Sequence, residues 1–232
     1  MIQFIQANED GFTDIPGRKT IHFFSFEQYF DPDKTGYGVL RVLNDSVIDA
    51  GFGLPNHMHR NMEIITYVIE GALSHKDSIQ NASTIYRGDV QFISADSGVV
   101  HSEYNYGDEP ARVLELWVYP NDSVEAPSYG EYCYDWQERV NQWLLFASGI
   151  GGKSPVQVHQ DINCYATFLE AGRDIDFNVQ AGRQAYVVAL EGVVVLNDVL
   201  FVAHMSAQVS NETLSFHALE SSHIVIVEMN EA

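Results

Sequence analysis

The sequence predicts an all-β protein of two domains in tandem, each a sandwich or barrel of short strands. Three observations carry this. Strand-type periodicity runs through almost the whole chain, Gly-rich turns separate the runs, and one segment rich in Pro and Gly interrupts the rhythm near the middle. With 232 residues, 46% of them hydrophobic, the chain has material for real cores, which excludes disorder.

The elements follow in order. Val39–Ile48, Glu63–Glu70, Val90–Ser94 and Arg112–Tyr119 are rich in Val, Ile, Leu and Tyr, and turn residues bound most of them. The second half continues with Asn163–Glu170, Asp174–Val179, Gln184–Glu191, Val193–Asn197 and His223–Met229. Asp174–Val179 alternates polar and apolar residues, as a half-buried strand does. Only Tyr132–Val140 hints at a short helix. The interruption holds Pro120, Pro127 and Gly130, then Gly149, Gly151 and Gly152, so the expected domains are 1–120 and 153–232, joined by 121–152. The tetrapeptide Val68-Ile69-Glu70-Gly71 is echoed by Ala189-Leu190-Glu191-Gly192 at an offset of 121.

Twelve Lys and Arg against 32 Asp and Glu give a net charge of −20. Such a surface repels phosphate backbones and anionic lipid, so no direct nucleic-acid or membrane partner is expected. Cys133 and Cys164 form neither a disulfide framework nor a metal pair by spacing. The first ten residues carry acids where a signal peptide needs bases, and no apolar run approaches the ~18 residues of a membrane span. The expectation is a cytoplasmic, soluble chain, with nothing that demands more than a monomer.

The chemistry concentrates in two clusters, Asn56-His57-Met58-His59 and His101-Ser102-Glu103. On a strand, residues i and i+2 share a face, so His57 projects with His59 and His101 with Glu103. If both strands meet inside a barrel, three imidazoles and a carboxylate converge on a point. Mixed nitrogen and oxygen ligands suit Fe, Mn, Ni, Cu or Zn, and the absence of thiolates argues against a closed structural zinc site. One His-x-His pair is common on solvated strands. Two ligand-type clusters at strand parity outweigh that bland reading. No phosphate loop, nucleotide fingerprint or nucleophile elbow competes with it.

These residues resemble the cupin superfamily and, within it, the pirin family. Gly51, His57, His59 and Glu63 stand at the spacing of the first cupin motif, and His101 and Asn105 match the end of the second. Gly71 arrives one residue late, and Ser94–Val100 replaces the usual proline-x-glycine stretch. The pirin resemblance lies in His22-Phe23-Phe24-Ser25-Phe26, Met62–Val68, His75-Lys76-Asp77-Ser78, His101–Asn105 and, more weakly, Leu114–Pro120. It is dense from His22 to Pro120 and thin afterwards. It implies a bicupin, two jelly-roll barrels, with one divalent metal on His57, His59, His101 and Glu103. Iron(II) comes first, with Mn, Ni, Cu or Zn as alternatives. The general cupin pattern nominates Glu63 instead of Glu103. The late Gly71 places a bulge after Glu63 and favours Glu103 as ligand and as catalytic base. His22 and His75 read as structural or supporting residues.

The offset of 121 sets Asn178 opposite His57 and Gln180 opposite His59, so the second barrel is expected to lack a metal. His159 and Asp161 would share a strand face, a weak alternative pair. The resemblance implies quercetin 2,3-dioxygenation, in which a flavonol's central ring is opened by O2 with release of carbon monoxide. The partners would be a small aromatic substrate and O2. Two other readings belong to different classes: an iron-dependent redox sensor regulating a partner protein, and a non-oxidative cupin isomerase or binding module.

Overall fold

A computed structural model describes residues 1–121 and 126–231. Residues 122–125 of the expected connection, and the last residue of the expected second domain, lie outside the described residues. The chain divides into two compact units. One holds Asp10–Tyr134 and Val158–Gln160, the other Met1–Glu9, Asp135–Gln157 and Asp161–Ala232. The first strand, Ile2–Ile5, pairs antiparallel with Ser206–Ser210 and so belongs to the second unit, although the sequence places it with the first. The stretch read as a connection contains the strands Ser128–Tyr132 and Leu144–Gly149.

All nine strands expected from periodicity are present, with ends that shift by a residue at most. The expected helix at Tyr132–Val140 reduces to a single 3-10 turn, Trp136–Arg139. Asp135 caps it, accepting from the Gln137 N–H at 3.0 Å while Glu138 accepts from Asp135 N–H at 3.0 Å. Those capping residues gave the segment its helical look. No α-helix occurs among the described residues, and no helix there is long and apolar enough to cross a membrane.

Each unit is built from a seven-stranded and a four-stranded sheet, with the same strand order in the small sheet and in the middle four strands of the large one, while the edges of the large sheet are connected differently. In the first, the large sheet runs Ser128–Tyr132, Val90–Ser94, Glu63–Glu70, Ala111–Val118, Leu40–Ile48, Arg18–His22, Gly11–Ile15. Its small sheet runs Gly53–His59, Val99–Tyr104, Ala72–Asp77, Ala82–Tyr86. In the second, the large sheet runs Ile2–Ile5, Ser206–Ser210, Arg183–Glu191, Ser222–Asn230, Ile162–Leu169, Leu144–Gly149, Gln157–Val158. Its small sheet runs Asp174–Asn178, Thr213–Ala218, Val193–Leu196, Val199–Val202. These are two cupin barrels.

The tetrapeptide echo has a structural cause. Ile69 is an extra residue between Val68, opposite Val113, and Glu70, opposite Arg112. Leu190 is the same extra residue between Ala189, opposite Ile224, and Glu191, opposite His223. Each bulge is followed by a glycine in the left-handed region, Gly71 at φ 75° and Gly192 at φ 81°. The bulge bends the strand and the glycine turns it, at one place in both barrels.

Candidate metal centre

Gly53–His59 and Val99–Tyr104 pair directly, with His57 opposite His101 and His59 opposite Val99. Two residues, Pro55 and Asn56, stand against the single Ser102, because Leu54 then faces Glu103. A proline lacks an N–H for the ladder, which suits a bulge. The Pro55 carbonyl accepts a hydrogen bond from His57 Nδ1 at 2.8 Å, which leaves His57 Nε2 with its lone pair. The three rings His57, His59 and His101 lie with centroids 4.4–4.8 Å apart. One nitrogen from each falls within 4.8 Å of the others.

Two of these nitrogens pose a satisfaction problem. His59 Nε2 and His101 Nε2 are buried and have no hydrogen-bond partner. Buried polar atoms are normally paired, so converging unpartnered lone pairs fit a cation. Burial, with the neighbouring imidazoles, depresses both rings: His59 falls to about 4 and His101 to about 2. Both are therefore neutral and able to ligate at neutral pH.

Glu103 lies beside His101 and shares a second close group with His101 and His75. Gln91 Nε2 donates to its Oε1. Tyr129 O–H lies 3.4 Å from Gln91 Oε1 and 2.6 Å from Glu131 Oε2, which ties the support of Glu103 to the strand Ser128–Tyr132. Burial, and then the charge of Glu115, push the Glu103 carboxyl upward to about 8.

Glu63 is elsewhere. It is wholly buried, but the chain turns at Arg60–Met62, with Asn61 at φ 50°, and Glu63 begins a strand of the other sheet. Strand parity from His57 and His59 does not survive that turn. Its carboxylate accepts from His159 N–H at 2.6 Å and Gln160 N–H at 2.8 Å, and His159 Nδ1 lies 2.9 Å away. His159 therefore serves Glu63. It shares no strand face with Asp161, which pairs with Arg183 at 2.9 Å.

His57 and His59 open on a cavity of about 220 Å³ lined also by Glu103, Thr66, Glu115, Trp117, His22 and Arg18. His22 is used at both nitrogens, by Thr13 at 2.8 Å and Asn44 at 2.9 Å, so it frames the cavity and offers no lone pair. Trp117 packs edge-on against His59 at 4.7 Å and donates to Glu115 Oε1 at 2.8 Å. Glu115, Thr66 and Arg18 escape a motif-based reading. The signal for Glu115 was a lone acid inside the apolar run Leu114–Val118. Asn105, at the cupin distance from His101, donates to the carbonyls of Ile48 at 3.0 Å and Glu109 at 2.8 Å, so it pins a loop.

Comparison with known proteins places the chain in a family. Residues 6–118 match the family model described as Pirin, and residues 145–229 match the quercetinase C-terminal cupin domain. A Caulobacter vibrioides relative named pirin-like protein is 35% identical, over 90% of this chain and 91% of its own. This chain belongs to the pirin family. A second relative, named quercetin 2,3-dioxygenase, from Escherichia coli strain K12, is 32% identical over 99% of both chains. Among solved structures, the bacterial pirin YhhW of Escherichia coli in complex with nickel(II) superposes with a TM-score of 0.92 at 31% identity, covering 100% of both chains. The residues of this pirin fit a divalent metal in the first barrel, on the buried Nε2 atoms described above.

The second barrel differs at every equivalent position. Its small sheet pairs Ile175 with Phe216 and Phe177 with Leu214. Aligned on these ladders, Phe177 and Val179 stand for His57 and His59, and Leu214 and Phe216 for His101 and Glu103. The offset of 121 holds at Leu54 and Ile175, but the bulge at Pro55–Asn56 shifts it by one beyond them. Asn178 and Gln180, expected there from the sequence, are exposed instead.

Proposed function

We propose that the first barrel is a metal-dependent dioxygenase site that opens the central ring of quercetin-like flavonols with O2 and releases carbon monoxide. The observation that carries this reading is the convergence of His57, His59 and His101, the last two neutral with buried, unpartnered Nε2 atoms, beside a cavity with a carboxylate at its wall. His57, His59, His101 and Glu103 would hold one divalent ion, iron(II) first among Fe, Mn, Ni, Cu and Zn. When bound, the ion supplies Lewis acidity to the flavonol 3-hydroxyl and the redox partner for O2.

The chain's own residues do the rest. Glu103, ionised once a bound cation offsets its burial, would accept the hydroxyl proton, held in place by Gln91. Phe26, Leu54, Val113 and Trp117 give the cavity apolar wall for an aromatic ring and exclude water from it. The cavity is smaller than the ~300–1,000 Å³ of typical ligand pockets, so the reacting ring sits inside and the remainder at the mouth. The net charge of −20 and the two free cysteines favour a cytoplasmic protein without nucleic-acid contacts.

The test is O2 uptake and carbon monoxide release with quercetin, using protein loaded in turn with Fe, Mn, Ni and Cu. Carbon monoxide above the metal-in-buffer control, lost in His101→Ala, is the expected result. None above buffer with any metal removes the enzyme reading and favours a metal-dependent regulator of a partner protein.

A further inference from the structure

Behind His101 lies a second pair of groups that the reaction does not touch. In the ladder between Val99–Tyr104 and Ala72–Asp77, Asp77 stands opposite His101 and His75 opposite Glu103. The side chains of His75 and Asp77 are fully buried, and His75 Nε2 lies 3.1 Å from Asp77 Oδ2. Asp77 is fixed in turn. Its Oδ1 accepts from Ile79 N–H and Asn81 N–H, and its Oδ2 from Asn81 Nδ2, each at 2.9 Å. On its other side, His75 Nδ1 lies 3.4 Å from His101 Nδ1. The ring of Tyr129 stacks on His75 at 4.6 Å with 15° between planes, which holds the imidazole flat in this line.

Proton inventory then dictates the tautomers. A carboxylate that receives three N–H donors is an anion and can only accept, so His75 places its proton on Nε2. Neutral His75 keeps a lone pair on Nδ1, directed at His101 Nδ1. His101 must therefore carry its proton on Nδ1, which strips Nε2 of hydrogen. That is the buried Nε2 left without a partner beside His57 and His59.

We propose that Asp77 and His75 are positioning residues that lock His101 in its Nδ1–H tautomer and so present its Nε2 lone pair to a divalent cation. The proposal rests on the reading of His57, His59 and His101 as metal ligands. A ligating histidine is commonly oriented by a carboxylate on its other nitrogen. Here the carboxylate acts through a second imidazole. His75 itself is no ligand, although it lies close to His101 and Glu103, because both its nitrogens are engaged, Nε2 with Asp77 and Nδ1 with His101.

The test begins with the metal-free protein, labelled with ¹⁵N in its histidine rings. Long-range ¹H–¹⁵N correlation is expected to show His101 protonated at Nδ1 and His75 at Nε2. A proton on His101 Nε2 overturns the proposal, and this measurement stands even if the wild type binds no metal, an outcome that would sink the ligand assignment separately. Nickel(II) affinity, measured against a competing chelator, supplies the second arm. His75→Leu is expected to lose ~10–100-fold. His75→Asn, whose amide oxygen restores an acceptor near the Nδ1 position, is expected to recover part of that. Equal affinity in the wild type and His75→Leu, with both folded by thermal melting, overturns the proposal. Asp77→Asn is the weaker variant, because Asp77 also holds the 77–81 turn.

Discussion

The two barrels share an inner strand order and a bulge, yet their interiors are opposites. Where the first presents His57, His59, His101 and Glu103, the second presents Phe177, Val179, Leu214 and Phe216. On the large sheets, Thr66 and Glu115 of the first correspond to Val187 and Ile226 of the second. The apolar set belongs to one continuous core with Leu169, Val194, Phe201 and Met205, into which Phe177 packs from the edge. Burying such side chains stabilises by roughly 1.5–3 kcal/mol each, whereas a buried polar group without a partner costs about 1–3 kcal/mol. The first barrel thus gives up stability to keep a polar, partly empty interior. A scaffold can do that in one copy when its sheets are closed by the same hydrogen bonds in both.

The largest effect should separate the barrels by function. His101→Ala is expected to bring metal content from one equivalent per chain to none and to abolish carbon monoxide release, with little loss of stability. Phe216→Ala, in the second barrel, should cost about 3–5 kcal/mol by leaving a cavity, yet retain one equivalent of metal below its melting temperature. Elemental analysis beside urea unfolding checks both. A His101→Ala protein that keeps a full equivalent breaks the comparison at its root.

A smaller contrast lies within the first barrel, between its two candidate glutamates. Glu103→Gln should weaken metal retention by more than the ~10–100-fold typical of an outer partner and stop turnover. Glu63→Gln should leave metal content unchanged. It should instead lower stability by about 1–3 kcal/mol, since two buried backbone donors, on His159 and Gln160, lose a charged acceptor. The reverse ranking after dialysis would transfer the ligand role to Glu63.

The sequence made some of this contrast legible and hid the rest for identifiable reasons. Nine strands were visible because their apolar runs are continuous or, at Asp174–Val179, strictly alternate with polar residues. Ile2–Ile5 and Ser128–Tyr132 were not, because edge strands with exposed faces carry little periodicity. The histidine trio was visible because it depends on parity within short strands. Glu63 was ambiguous because parity fails across the turn at Arg60–Met62. The late Gly71 did signal a bulge, and Ile69 is that residue. The bulge at Pro55–Asn56 was marked only by the proline itself, and it alone misdirected the alignment onto Asn178 and Gln180. Glu115 carries no motif, and only its isolation in an apolar strand could have betrayed it.

The pH dependence sharpens the comparison further. In the metal-free protein His59 is depressed to about 4, so between pH 4 and its unfolded value near 6.5 the unfolded chain binds the extra proton, and stability rises with pH. Glu103 is raised to about 8, so from its unfolded value near 4.5 up to 8 the folded chain binds the extra proton, and stability falls as pH rises. The two effects oppose each other below pH ~6.5, and above it the raised carboxyls remain, Glu103 and the neighbouring Glu115, which burial also pushes upward. The stability of the first barrel, followed through Trp117, should therefore weaken from pH ~6.5 to 8, with at most ~1.4 kcal/mol per unit of that slope from Glu103. Glu103→Gln should reduce that slope, leaving the part that belongs to Glu115. A slope left unchanged by the substitution would assign it to another group.

The smallest expected effect copies one position of the second barrel into the first. Thr66 Oγ1 is buried, lines the cavity and has no hydrogen-bond partner, while the equivalent Val187 contributes only hydrocarbon. The two side chains have nearly the same shape, so Thr66→Val creates no void. It removes a polar atom whose desolvation is uncompensated in the ligand-free protein, and should stabilise the metal-loaded chain by about 1 kcal/mol. The hydroxyl is retained in the first barrel at that cost, and it faces the space where substrate would sit. If it bonds a flavonol oxygen, the same substitution should raise KM several-fold, with kcat nearly unchanged, because that contact is made equally in ground and transition states. A stabilised variant with unaltered KM would show that Thr66 merely tolerates the cavity. A destabilised one would mean that an ordered water satisfies the hydroxyl, and that the first barrel's interior costs less than the comparison with the second implies.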